Sequence, residues 1–295
     1  ELHANSGNAD EAAAQMRAYI SETGGGVSAA MRAVRVLERA GELNAALEQM
    51  REAAGSAPKA AGMREALAEV EYRIGEKDRA IEAWRAFAAE AGDADGVMRA
   101  ARSLIGRNET EAGYAVLTAR AEEFTNDALY AQAMTEAAAR EQKPDEALDA
   151  SLRWVRLARD AGTGDQAVAA VARLAKRQVA EDRIISDLRD RGGDRTVGET
   201  CLLAVLEQSL GELAACDATL AGASGEPRVV RTKADLLIDR GAFAEAVATL
   251  ESLLEMPGVA QASTVRELIE LSARTGQREA ALRWVERWKA LAPGS

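Results

Sequence analysis

An all-α stack of helix–turn–helix hairpins is the fold this sequence predicts, and three observations carry the prediction. A small side chain recurs every thirty-odd residues, a turn residue stands five places before it, and the composition is that of helices. The small positions are Ala12, Ala46, Ala80, Gly113, Ala147, Ala180, Cys216, Ala246 and Ala281, at intervals of 34, 34, 33, 34, 33, 36, 30 and 35 residues. Self-similarity at such a period marks a repeat architecture. The turn glycines are Gly7, Gly41, Gly75, Gly211, Gly241 and Gly276, with Asn108 and Gln142 in the fourth and fifth turns. The sixth turn falls near Ala175 and has the weakest pattern.

The period fits one hairpin. Two helices of about 14 residues span roughly 21 Å each at 1.5 Å per residue, which leaves a few residues for two turns. A glycine between them suits the left-handed backbone past a helix end, where a Cβ is penalised. The small residue begins the second helix and faces the first, as Ala246 faces Ala234 and Ala80 faces Ala68. A large side chain there would overpack the contact by roughly 1–3 kcal/mol. One hairpin cannot bury its second face, so neighbours stack, and the chain reads as one domain over residues 1–295.

Composition limits the alternatives. The chain is 47% hydrophobic and 29% charged, with only 4% aromatic residues, and Ala, Leu, Arg and Glu are good helix formers. Alternating strand-like runs are nearly absent from the sequence. A net charge of −11 repels phosphate and argues against nucleic acid as partner. No apolar run approaches the eighteen residues of a membrane span, so no direct insertion is expected in this segment. Two cysteines and one histidine leave no Cys/His metal cluster, and no cofactor is implied.

Taken in order, residues 1–26 form a partial first repeat, with Gly7 followed at once by the second-helix residues Ala12, Met16 and Tyr19. The segment therefore reads as part of a longer protein, and a signal or anchor upstream would decide the compartment. Gly24 to Gly26 make a joint. Residues 27–160 are regular repeats, with Pro144 at the start of a second helix, where its missing N–H costs nothing. Residues 161–196 are a divergent repeat and the expected place of any bend, with the charged run Asp187–Arg195 at its end. Residues 197–295 are regular again. The 30-residue interval before Ala246 implies a trimmed helix or turn.

This grammar resembles the tetratricopeptide repeat, a 34-residue helix–turn–helix, over nearly the whole chain from Gly7 to Pro293. The match includes small residues in the first helix (Ala68, Ala101, Ala204, Ala234) and an apolar residue in the second (Met16, Met50, Trp84, Leu117, Leu220, Leu250, Val285). Gly24, Pro58, Gly92, Pro257 and Pro293 close units, whereas the aromatic places of the first helix are mostly Ala, Leu or Arg. The resemblance implies an α-solenoid, a right-handed superhelix of about eight hairpins plus a partial one. It also implies that first helices line the concave groove.

On that implication the partner-binding candidates are the non-core positions of the first helices. They are Arg32, Arg35 and Arg39; Glu65 and Glu69; Arg99 and Arg102; Gln132 and Glu136; Arg228, Arg231 and Asp235; and Arg266 and Glu270. The early units alternate basic and acidic. The Asn and Lys of the family's carboxylate-clamp members are absent from these places. Charge on a helix surface is the default, and the bland reading is a solvated face with inter-repeat ion pairs, each worth well under about 1 kcal/mol.

Other features point to packing. His3 has no catalytic partner pattern. Cys201 and Cys216 fall on the two helices of one hairpin and read as buried thiols. Trp84, Trp154 and Trp288 read as one packing slot of the repeat. The glycines at 24–26 and 192–193 lack a phosphate loop's Lys-Ser/Thr and read as turns.

The implied function is non-enzymatic protein–protein interaction: a scaffold holding a partner protein or peptide, as part of a larger protein. The alternatives are a non-catalytic arm of a multidomain enzyme or secretion component, an α/α-type enzyme, and an RNA-binding helical repeat. Exposed terminal helices offer a surface for homo-oligomer formation.

Overall fold

The computed structural model describes residues 27–39, 41–56, 62–159, 161–259 and 261–291, with six isolated positions between 11 and 22. The assignments at His3, Gly7, Ala12, Met16, Gly24 to Gly26, Pro58 and Pro293 lie outside the described residues. Among those residues there are sixteen α-helices and no strand. They are α1 (Val27–Arg39), α2 (Leu43–Ser56), α3 (Met63–Arg73), α4 (Lys77–Glu90), α5 (Ala94–Ile105), α6 (Thr110–Thr118), α7 (Ala128–Arg140) and α8 (Pro144–Leu157). After them come α9 (Ala161–Gln178), α10 (Glu181–Asp190), α11 (Val197–Ser209), α12 (Leu213–Ala221), α13 (Pro227–Asp239), α14 (Phe243–Leu254), α15 (Gln261–Arg274) and α16 (Arg278–Leu291). The chain divides into two compact units, residues 1–143 and 144–295. Within each unit the described residues form an all-α stack of helical hairpins.

One backbone device repeats at every hairpin turn. Gly41, Gly75, Asn108, Gln142, Val179, Gly211, Gly241 and Gly276 all hold positive φ. At Gly75 its own N–H donates to the Tyr72 carbonyl at 3.2 Å, and the Glu76 N–H donates to the Glu71 carbonyl at 2.9 Å. This is a Schellman closure, which satisfies the last carbonyls of the first helix. The next helix then starts at once, with the Ala80 N–H bonding the Glu76 carbonyl.

The position five residues past the turn is the helix contact expected from the sequence. Ala46, Ala80, Cys216 and Ala246 are fully buried there. At Gly113 even a methyl group fails to fit: a Cβ would lie 2.6 Å from Ile105 Cγ1 and 3.0 Å from the Ala101 carbonyl. The facing residues Ala68 and Ala234 are fully buried as well. Cores grow outward from these contacts. In the first unit Val34, Leu37, Met50, Met63 and Val70 pack together. In the second, Val230, Leu237, Leu250, Val265 and Leu268 do so.

The divergent repeat requires a correction. Its turn residue is Val179, with φ +53°, not a residue near Ala175. The Val179 N–H donates to the Lys176 carbonyl and the Ala180 N–H to the Ala175 carbonyl, as at the other turns. Ala180 is therefore the cap before α10 and only half-buried, while the contact position is Ile184, which is buried. A valine in the glycine place and an isoleucine in the small place hid this hairpin from the sequence pattern. Its helices touch only lightly, and α9 packs chiefly on α8 and α11.

A recurring ion pair supports the corrected register. Arg51 stands five residues past Ala46, and its Nε and Nη2 donate to Glu71 at 3.3 and 3.0 Å. Arg189 stands five past Ile184, and its Nε and Nη2 donate to Glu207 at 3.1 and 2.8 Å. Glu71 and Glu207 each lie four residues before a turn glycine and are buried. Both pairs tie a second helix to the first helix of the following hairpin.

Three smaller outcomes follow. The short interval before Ala246 lies in the connection after α12, residues 222–226, shorter than the connection 119–127 that follows the equally short α6. Trp84 lies four residues past its contact residue, whereas Trp154 and Trp288 lie seven past theirs, so the tryptophans occupy two slots. Trp84 and Trp154 are buried, while Trp288 is half-buried on α16, a helix with no fully buried residue. Cys201 and Cys216 are buried free thiols on α11 and α12, and burial pushes both thiols up.

Candidate functional site

Positions ten, six and two before each turn residue fall on one side of a first helix, because residues four apart stack above one another. In the first unit these ridges are Met31, Arg35 and Arg39 on α1; Glu65, Glu69 and Arg73 on α3; Met98, Arg102 and Gly106 on α5; and Gln132, Glu136 and Arg140 on α7. Most of the candidates chosen from the sequence lie on this side or one residue beside it.

Their surroundings differ. The glutamates of α3 are engaged: Glu65 lies 3.6 Å from Arg99 Nε, and Glu69 pairs with Arg107 of the next repeat and with Arg73. Arg99 also bonds Asp95 at 3.1 Å and lies over the Phe87 ring. These are the inter-repeat ion pairs of the bland reading. Arg107 lies 4.7 Å from the ring centre of Trp84 and 5.2 Å from that of Tyr72, so its pair with Glu69 rests on an aromatic floor. Gln132 donates to Glu136 at 3.0 Å. Arg32 lies over the Tyr19 ring at 6.0 Å.

Four arginines of this face have no acidic partner among the described residues: Arg35, Arg39, Arg102 and Arg140, all exposed. The Arg102 guanidinium donates to the Met98 sulfur at 4.0 Å. Between α5 and α7 the surface opens into a depression of about 190 Å³, lined by Met98, Ala101, Ile105, Leu117 and Ala133, with Arg102, Glu136 and Arg140 also lining it. Gly106 also lines it, and Gly106 stands where α1, α3 and α7 carry Arg39, Arg73 and Arg140. No side chain projects from that position beside the depression. Arg140 and Gly106 were passed over in the sequence; counting back from the turn in steps of four would have found both.

The second unit presents a different face. Arg228 is nine-tenths buried; its Nε donates to Asp165 at 3.4 Å and its Nη1 to the Ala158 carbonyl at 3.2 Å. Its guanidinium occupies the space where a side chain on Gly164 would begin. Arg231 bridges Asp235 at 3.3 Å and Glu267 at 2.6 Å. Burial pushes the Asp235 carboxyl up to about 6, against the pull of Arg231 and with the help of Glu267 and Asp165, although half of its side chain remains open to solvent. Arg266 and Glu270 form an exposed pair at 3.5 Å.

Elsewhere, a depression of about 610 Å³ beside the Asn108 turn is lined by Asp78, Glu82, Glu109, Glu111 and Glu141 with Arg85. Among the described residues no three acidic, His or Cys side chains converge as a metal site, and no helix is long and apolar enough to cross a membrane.

The hairpin period, the repeated turn and the small contact residue together decide the kind of array. It is tetratricopeptide-like. No protein-family model and no curated protein sequence matches the chain. Among solved structures, the chain is similar to a tetratricopeptide repeat protein from Parabacteroides merdae at 14% identity, with 84% of this chain and 98% of that one covered and a TM-score of 0.37. It is similar to PilW, described as a type IV pilus biogenesis factor, at 13% identity over 68% of this chain and 93% of that one, TM-score 0.40. It is also similar to the pilF product of Pseudomonas aeruginosa at 16% identity over 91% and 93%, TM-score 0.30.

Proposed function

We propose that this tetratricopeptide-like array is a non-enzymatic interaction scaffold, and that the first-helix face of its first unit holds a protein partner. The observation that carries this reading is the ridge pattern of α1, α3, α5 and α7. It sets arginines that have no acidic partner among the described residues beside an apolar depression. Exposed arginine beside apolar surface is the composition enriched where proteins meet.

Reversing Arg35, Arg102 and Arg140 to Glu in the purified chain, with Arg266→Glu as a control in the second unit, tests the assignment. A partner co-purifying from the source cell is expected to be lost with the triple reversal and kept by the control. Retention of that partner by the triple variant would remove the first-unit face from the reading.

A further inference from the structure

In the second unit one contact is closely fitted and yet poorly satisfied. Arg228, on the first turn of α13, reaches past α11 to the start of α9. Helix α11 packs on both, while α9 and α13 themselves touch little among the described residues. The guanidinium lies where a side chain on Gly164, the fourth residue of α9, would begin, so the seat exists only with glycine there. No apolar side chain of α9 before Ala167 is buried among those described. The start of this helix is therefore held to α13 by the Arg228 contact and not by a shared core.

The bonding inside the seat is thin. A guanidinium carries five N–H donors. Nε donates to Asp165 at 3.4 Å and Nη1 to the Ala158 carbonyl at 3.2 Å, both longer than an ordinary bond of about 3.0 Å. Nη2 is buried with no partner among the described residues. Asp165 is more than half exposed, so water competes for its carboxylate. A charge taken out of water and left short of partners gains little from burial. The closed contact thus lies close in free energy to a state in which Arg228 has returned to water.

We propose that Arg228 is a releasable latch. Closed, it pins the first turns of α9 across α11 to α13. Open, it lets those turns unfold while the rest of the unit stays in place, as the least-held segments of a fold do. The latch goes beyond the scaffold reading and does not depend on it.

Hydrogen–deuterium exchange of the whole chain, read by mass spectrometry over residues 165–170, tests the latch, because these amides bond back to the first turns of α9. Arg228→Met keeps the reach and removes the charge. Gly164→Ala leaves Arg228 intact and fills its seat. Exchange over 165–170 should rise roughly tenfold or more in both variants and keep the wild-type rate over α15. The direction in Gly164→Ala separates the latch from helix propensity, since alanine for glycine inside a helix would by itself slow exchange. A missing rise in one of the two variants, or a rise shared equally by α9, α11, α13 and α15, would overturn the latch.

Discussion

Two hairpins of this chain solve the same problem in opposite ways. In the α3–α4 hairpin the turn is Gly75 and the contact is Ala80 against Ala68, so the two helices meet backbone to backbone. Trp84 is buried just beyond that contact, with Tyr72 beside it at a ring distance of 5.8 Å. In the α9–α10 hairpin the turn is Val179, 88% exposed, and the contact is Ile184. A side chain of that size keeps two helices apart. Here α9 packs on α8 and α11, and α10 packs on α11, so the hairpin is held by its neighbours. The device that builds the array therefore lies in the backbone closure, which both share. Tightness is set by one side chain.

The largest effect should come from exchanging that side chain. Ala80→Ile puts three more carbons into a contact with no free space, and should destabilise the chain by about 3 kcal/mol, the upper end of overpacking costs. Ile184→Ala leaves a gap in the loose hairpin and should cost about 2 kcal/mol, the lower end for such truncations, because helices in light contact can settle. Urea denaturation of the two variants checks both. If Ala80→Ile proved as stable as the wild type, the tight hairpin would not depend on close backbone approach.

A smaller effect separates the turns. A β-branched residue in the left-handed region costs roughly 1–2 kcal/mol relative to a permitted conformation. Val179→Gly should therefore stabilise the chain by about 1 kcal/mol once glycine's extra freedom in the unfolded state is subtracted. Gly75→Val should destabilise it by a similar amount or more. Thermal melts of both variants should move in opposite directions, and a fall in Tm for Val179→Gly would show that the valine side chain makes a contact worth more than its strain.

The same contrast explains what could be read in advance. The tight hairpins were legible because each constraint admits few residue types: glycine, or a polar stand-in such as Asn108, at the turn, and Ala, Gly or Cys at the contact. The loose hairpin broke both rules, and the pattern slid by four residues onto Ala175 and Ala180. The candidate face was legible as a set of first helices but not as a surface. Whether Glu65 meets Arg99 or water depends on distances between repeats, and an absent side chain at Gly106 leaves no mark in a search for charged residues.

The smallest expected effect concerns pH and again divides two glutamate- and aspartate-bearing helices. For Asp235 on α13, burial raises the carboxyl from an ordinary 3.8 to about 6. Between those values the folded chain holds a proton that the unfolded chain has released, so this group favours folding more as pH falls from 7 towards 4. For Glu199 on α11, burial also pushes upward, but the Thr196 amide and the guanidinium of Arg156, with Arg191 beside them, outweigh it and hold the carboxyl below its usual range. Its contribution is present above the unfolded value near 4 and disappears as pH drops through the lower folded value. Asp235→Asn should then raise the urea midpoint at pH 7.5 and leave it nearly unchanged at pH 4. The gain should be no more than about 1 kcal/mol, because half the Asp235 side chain is open to water. An equal shift at both pH values would mean that the lost partner is the Arg231 hydrogen bond and not the proton.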